Sequence, residues 1–205
     1  VLEALGVEND YGPVEVISTN GKPLAAVSLV TNPANDTGGF FTAVDAGTGS
    51  QVGLLPVVGD VPGMARTNLG LNNFSNQAAR VQLELIGTSG QVDSSTPDPI
   101  VLQPGQYLQI NRVVSFIQSL NHQSVDTTPL PRYLKVTSDQ AIQSYASYID
   151  ENSNDPSIES GLSQGSSRLL LKSAANTDRF RSSLSLLNLN SEPVSVQLLA
   201  YAGNG

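Results

Sequence analysis

Cysteine is absent from the 205-residue chain, which excludes disulfides, thiolate metal sites and thiol nucleophiles. The one histidine, His122, rules out zinc centres built on three histidines or on His with Cys. It stands in the loop Asn121-His122-Gln123-Ser124 with no acid spaced to orient it, and no Gly-x-Ser-x-Gly elbow accompanies it. Tryptophan is absent and aromatics make up 5% of residues, so any core must be aliphatic. Charged side chains are scarce at 14%, where a quarter is usual, and Ser, Asn, Gln, Thr and Gly take their place. Such a neutral-polar surface is more usual in extracellular β-proteins than in cytoplasmic ones. Ten basic residues lie scattered under a net charge of -8, leaving no footprint for phosphate backbones or anionic lipid, so nucleic acid is not an expected partner. No apolar run approaches the ~18 residues of a helical membrane span, and the first residues lack a basic leader region. No membrane insertion is expected.

What the chain does have is a repeat. The stretch 66–90, RTNLGLNNFSNQAARVQLELIGTSG, returns at 181–205 as RSSLSLLNLNSEPVSVQLLAYAGNG, with eight of 25 positions identical and a constant offset of 115. That period is too long for a solenoid and suits one whole β-sandwich. In each copy Leu69, Leu71 and Asn73, or Leu184, Leu186 and Asn188, share a face. Ala79, Val81, Leu83 and Leu85, or Val194, Val196, Leu198 and Ala200, then alternate with polar residues. Period-2 alternation around a polar turn predicts a half-buried antiparallel hairpin in each copy. An asparagine in register with core leucines is expected to tie its amide to loop backbone.

Elsewhere the pattern predicts strands over 14–18, over 23–32 with both faces covered, and over 38–46 and 51–58. Further strands are expected over 99–102, 106–111, 133–138 and 141–150. Short helical turns are expected over 1–6 and 113–120, the latter VVSFIQSL. A weaker match relates 14–36 to 134–155: strand, polar turn, long small-residue strand and an acidic, Asn-rich loop recur in the same order. By repeat, 1–53 is the back half of one unit, 54–167 a complete unit and 168–205 the front half of another, expected to pair with 1–53 of the same or a neighbouring chain. The expected fold is therefore all-β, in tandem Ig-like antiparallel β-sandwiches with one short helical turn per repeat.

Little in the chain points to chemistry. Asp150, Glu151, Asp155 and Glu159 lie in or beside one hydrophilic loop and offer carboxylates, though solvation suits them better than catalysis. Asp150, Asn152, Asn154 and Asp155 space oxygen ligands as a calcium loop begins, but Asp155 stands where such loops need glycine, and Gly161 where they need glutamate. A plain polar turn explains the same residues. Asn35 and Asn73 head N-glycosylation sequons. Tyr145 and Tyr148 could stack on sugar rings, yet a carbohydrate platform needs several coplanar aromatics, and Tyr145 is expected in the core. No cofactor and no catalytic residue are predicted.

The framework LPVVGDVPG at 55–63 and RTNLGLNN at 66–73, followed by VQLELIG at 81–87, VLQPGQYLQI at 101–110 and YLKVTSDQAI at 133–142, resembles tandem Ig-like β-sandwich repeats of large secreted bacterial surface and extracellular proteins. Asn68 stands where those repeats carry Asp. The resemblance implies an extracellular or cell-surface setting and a framework without chemistry. The function expected is a structural, non-enzymatic module whose partner is itself, polymerising head to tail as split sandwich halves complement one another. Its self-association residues are Val14, Val16, Leu24, Val27 and Leu29 on one half and Leu184, Leu186, Val194, Val196 and Leu198 on the other. The alternative is an accessory module binding polysaccharide or a surface through its loops.

Overall fold

The computed structural model describes residues 12–32, 37–45, 47–56, 58–123, 132–171, 182 and 184–199. The chain divides into two compact units, Val1–Ser163 and Gln164–Gly205. In the described residues the fold is all-β and every pairing is antiparallel. The strands are β1 (Val27–Asn32), β2 (Thr37–Thr42), β3 (Ser50–Leu55), β4 (Ala65–Asn72), β5 (Ala79–Gly87), β6 (Val92–Ser95), β7 (Ile100–Leu102), β8 (Tyr107–Ile110), β9 (Arg132–Asp150) and β10 (Pro156–Ser160). One helix, α1 (Val113–Leu120), matches the helical turn expected there. Val113, Val114 and Ile117 recur at helical spacing and bury one stripe, which packs against β4, β5 and β6. The turn expected over 1–6 lies outside the described residues.

The spine of the first unit is β9, 19 residues long. Its leading half pairs with β3 and β5, from Val81↔Ser138 to Gly87↔Arg132 on the β5 side. Its trailing half pairs with β10 and with β4, from Ala65↔Asp150 to Asn72↔Gln143. The sequence pattern suggests two strands here because Ser138-Asp139-Gln140 reads as a turn. Instead, the Asp139 side chain accepts a hydrogen bond from the Arg80 backbone N–H (2.8 Å), and its carbonyl accepts one from the Gln51 side-chain amide (3.0 Å). Those polar groups are absorbed by neighbouring strands, and the chain passes through extended.

The expected hairpin at 66–90 is corrected by these registers. β4 and β5 do not pair with each other. As β4 advances from Ala65 to Asn72 its partners on β9 descend from Asp150 to Gln143, and as β5 advances from Val81 to Gly87 they descend from Ser138 to Arg132. The two strands therefore run past β9 in the same direction, one after the other, and the loop 73–78 bridges them without reversing the chain. Alternation along a strand reports which face is buried, not which strand lies beside it.

One core joins both halves. Leu69 and Leu71 of β4, Val81, Leu83 and Leu85 of β5, and Leu134 and Val136 of β9 are buried within the same cluster as Val113, Val114 and Ile117. The expectation that both faces of 23–32 are covered is overturned: Leu24, Val27, Leu29 and Val30 are exposed. β1 and β2 form a separate two-stranded sheet, so no third strand flanks β1 among the described residues. Residues 14–18 form no strand, and Val14, Val16 and Ile17 are exposed.

Candidate self-association site

The first copy of the repeat shows what these residues do when complete. Leu69, Leu71, Ala79, Val81 and Leu83 are each 0% exposed, all within one core cluster. The positions 115 residues on, Leu184, Leu186, Val194, Val196 and Leu198, are 44, 58, 52, 57 and 68% exposed. The same apolar pattern is written twice, and these five positions are buried only in the first copy. The described residues of 184–199 form no strand, so the second expected hairpin is not found there.

The loop of the second copy is nevertheless already shaped. In the first copy the Asn73 amide donates to the carbonyl of Gln77 at 2.8 Å and its Oδ1 accepts from the Ser75 N–H at 3.0 Å. In the second, Asn188 donates to the carbonyl of Glu192 at 2.8 Å and accepts from the Asn190 N–H at 3.0 Å. This is the expected tie of the asparagine amide to loop backbone, and it is a local property of the sequence. What differs is the tertiary layer. Asn73 is buried and also donates to the Leu102 and Gln103 carbonyls at 3.1 Å each, whereas Asn188 is exposed.

At the other end, β1 and β2 repeat the plan of β9 and β10. A shift of 118 positions carries the pair Val30↔Gly39 onto Tyr148↔Ser157 and Leu29↔Phe40 onto Ser147↔Ile158. In β9 the edge away from β10 holds β4; in β1 the corresponding edge holds no strand among the described residues. Val14, Val16, Leu24, Val27 and Leu29 are all exposed. The residues expected to self-associate are thus exposed in both groups, in two separate compact units.

Other candidate residues have structural partners. Asp150 Oδ1 accepts the backbone N–H groups of Asn152 (2.7 Å) and Ser153 (3.2 Å), which hold its carboxyl below the usual aspartate range. It thereby closes the turn between β9 and β10, in which Asn154 takes a left-handed φ of 57°. No group of three or more His, Cys, Asp or Glu that could hold a metal ion occurs among the described residues. Glu151 accepts the Gly63 N–H at 2.8 Å, bonds Arg66 at 3.2 Å and pairs with Arg112. The Gly63 hydrogen bond foremost, then the two guanidinium groups, keep its carboxyl below the usual glutamate range against the opposing effect of desolvation. Tyr145, expected in the core, lies half-buried instead: Phe41 of β2 meets its ring edge-on at 5.2 Å, and its hydroxyl bonds that of Tyr107. Tyr148 is half-buried and His122 lies exposed after α1. Asn73 is too buried to accept a glycan, and Asn35 lies outside the described residues.

Two features escape a reading of the sequence. Buried Asp60 accepts the Thr67 N–H on Oδ1 and the Ser115 N–H on Oδ2, each at 2.8 Å, so it caps α1 from a distant loop. The residue next to the helix, Arg112, offers no side-chain cap. Gly70 faces Tyr145 across the β4–β9 pair, and a Cβ built on it would land in the tyrosine ring. Only the lone glycine within a strand pattern hints at that close approach.

No family model matches the chain, and no curated protein matches it. A solved structure described as the crystal structure of Thermotoga maritima 1070 overlaps 56% of this chain and 94% of its own at 12% identity and a TM-score of 0.41, too slight a likeness to bear on function.

Proposed function

We propose that the chain is a non-enzymatic structural module of an extracellular or cell-surface assembly, joining copies head to tail by completion of partial β-sandwiches. The observation that carries this reading is the five-position contrast between the two copies of the repeat. A side chain such as leucine gains about 1.5–3 kcal/mol when fully buried, and the second copy leaves five apolar side chains exposed, with no strand formed by the described residues of 184–199. The first copy supplies the remedy, because four of its five buried equivalents, Leu69, Leu71, Val81 and Leu83, lie on strands paired along β9. The contact is heterologous, so it propagates into a filament wherever its rotation does not close a ring. The neutral-polar composition and the likeness to secreted repeats support the extracellular setting.

Light scattering after size exclusion at micromolar concentration tests the reading. Oligomers whose mass rises with concentration are expected, and a monodisperse monomer overturns it. The mass of the native polypeptide supplies a second check: a longer parent carrying further repeats would place the same contact within one chain. Filaments are expected in images of the native material, and dispersed globules would count against them.

A further inference from the structure

We infer that the free edge of β1 in one copy receives residues 184–187 of the next, with Leu184 opposite Ser28, Ser185 opposite Val27 and Leu186 opposite Ala26. This rests on the assembly reading above and names its contact. Because the 118-position shift superposes β1–β2 on β9–β10 pair by pair, and the 115-residue repeat superposes 184–187 on part of β4, the β4–β9 register transfers directly. Leu69↔Ala146, Gly70↔Tyr145 and Leu71↔Ser144 become the three pairs named. The β1–β2 ribbon can stay intact, since β4 and β10 occupy different edges of β9's trailing half.

Side-chain size agrees with that register independently of how it was obtained. Both leucines of β4 face a small residue on β9, Ala146 or Ser144, and both leucines of the second copy would face one on β1, Ser28 or Ala26. Where the large Tyr145 demands a glycine at 70, the smaller Val27 would meet a serine at 185. Large and small are traded across one pair, as close packing requires. A slip of one residue sets Leu184 against Val27 or Leu29 and turns every side chain to the opposite face. Charge also fits: 1–53 holds one basic residue, Lys22, and six acidic ones, while 164–205 holds Arg168, Lys172, Arg179 and Arg181 against Asp178 and Glu192. Unlike ends attract, and like ends do not.

The absence of native cysteine makes disulfide trapping direct. Full-length Ser28→Cys and Leu184→Cys chains, mixed in equal amounts and oxidised, should give a heterodimer whose digest links the peptides containing positions 28 and 184. Facing residues of an antiparallel pair lie about 4.5–5.5 Å apart, within disulfide reach. Both positions are exposed, so neither substitution threatens the first unit's core. Linkage at least tenfold faster than for Leu29→Cys with Leu184→Cys is expected, and Ala26→Cys with Leu186→Cys should repeat the result. Equal or faster linkage through position 29 overturns the register while leaving assembly standing. Oligomers by light scattering without linkage of either pair overturn this contact alone, and a monomer with no linkage removes both readings. Linkage only within a single Ser28→Cys/Leu184→Cys chain overturns a neighbouring chain as partner.

Discussion

At position 71 a leucine is sealed from water; at 186 the same residue in the same sequence setting is more than half exposed. Replacing each with alanine therefore separates folding from assembly. Leu71→Ala should lower the unfolding free energy by about 2–5 kcal/mol, the range for a core leucine. Leu186→Ala should leave dilute chains within about 0.5 kcal/mol of the parent yet weaken association. Urea unfolding at low concentration and light scattering at high concentration read the two effects. The pair Gly70 and Tyr145 allows a sharper test. Gly70→Ala drives a methyl into the ring and should cost about 1–3 kcal/mol. Adding Tyr145→Val to Gly70→Ser, which recreates the combination at 185 and 27, should recover most of the loss in a double-mutant cycle. No recovery would mean that the glycine answers to something other than the ring.

Among elements, the ties between strands matter more than the strands themselves. Asn73→Ala leaves the Leu102 and Gln103 carbonyls without the amide that reaches them and should cost about 1–3 kcal/mol. Asn188→Ala, in the exposed copy of the same loop, should cost far less. Glu151 joins the β9–β10 turn to Gly63, Arg66 and Arg112. Its depressed ionisation stabilises the fold above the ordinary glutamate value of about 4.3. That contribution is lost as pH falls through the lower folded value. Glu151→Gln should therefore reduce thermal stability at neutral pH and flatten its decline below about pH 4.3, as melting curves across that window would show. Alternation and helical spacing made β4, β5, β7, β8 and α1 legible in the sequence, because each depends on its own residues. The partners were not legible: 73–78 has the composition of a hairpin turn, yet Asn73 fastens it to the β7–β8 turn. The exposure of β1 was hidden for the same reason, since apolar alternation looks alike whether or not a neighbour is present. The candidate site was legible as two groups of apolar residues, but the small-against-large pairs that set their register emerge only from the β4–β9 ladder.

For the molecule as a whole, a head-to-tail contact makes each copy both donor and acceptor, and the two roles fail separately. A chain carrying Leu184→Asp and Leu186→Asp places two charges among the apolar side chains and should no longer dock on β1 of a neighbour, because an unpaired carboxylate is costly to bury. Its own β1 remains able to receive residues 184–187 of another copy, so it can join one end of a growing assembly and stop there. Each such chain terminates one filament, and a mixture with one variant in ten should have a mean length of about ten copies. Length distributions from electron microscopy, taken as the variant fraction rises, read this directly. A contact that closed two copies symmetrically would show no dependence of length on that fraction, because growth would already end at the dimer. Lengths unchanged in a sample that does form filaments would place growth on a face other than the second copy of the repeat.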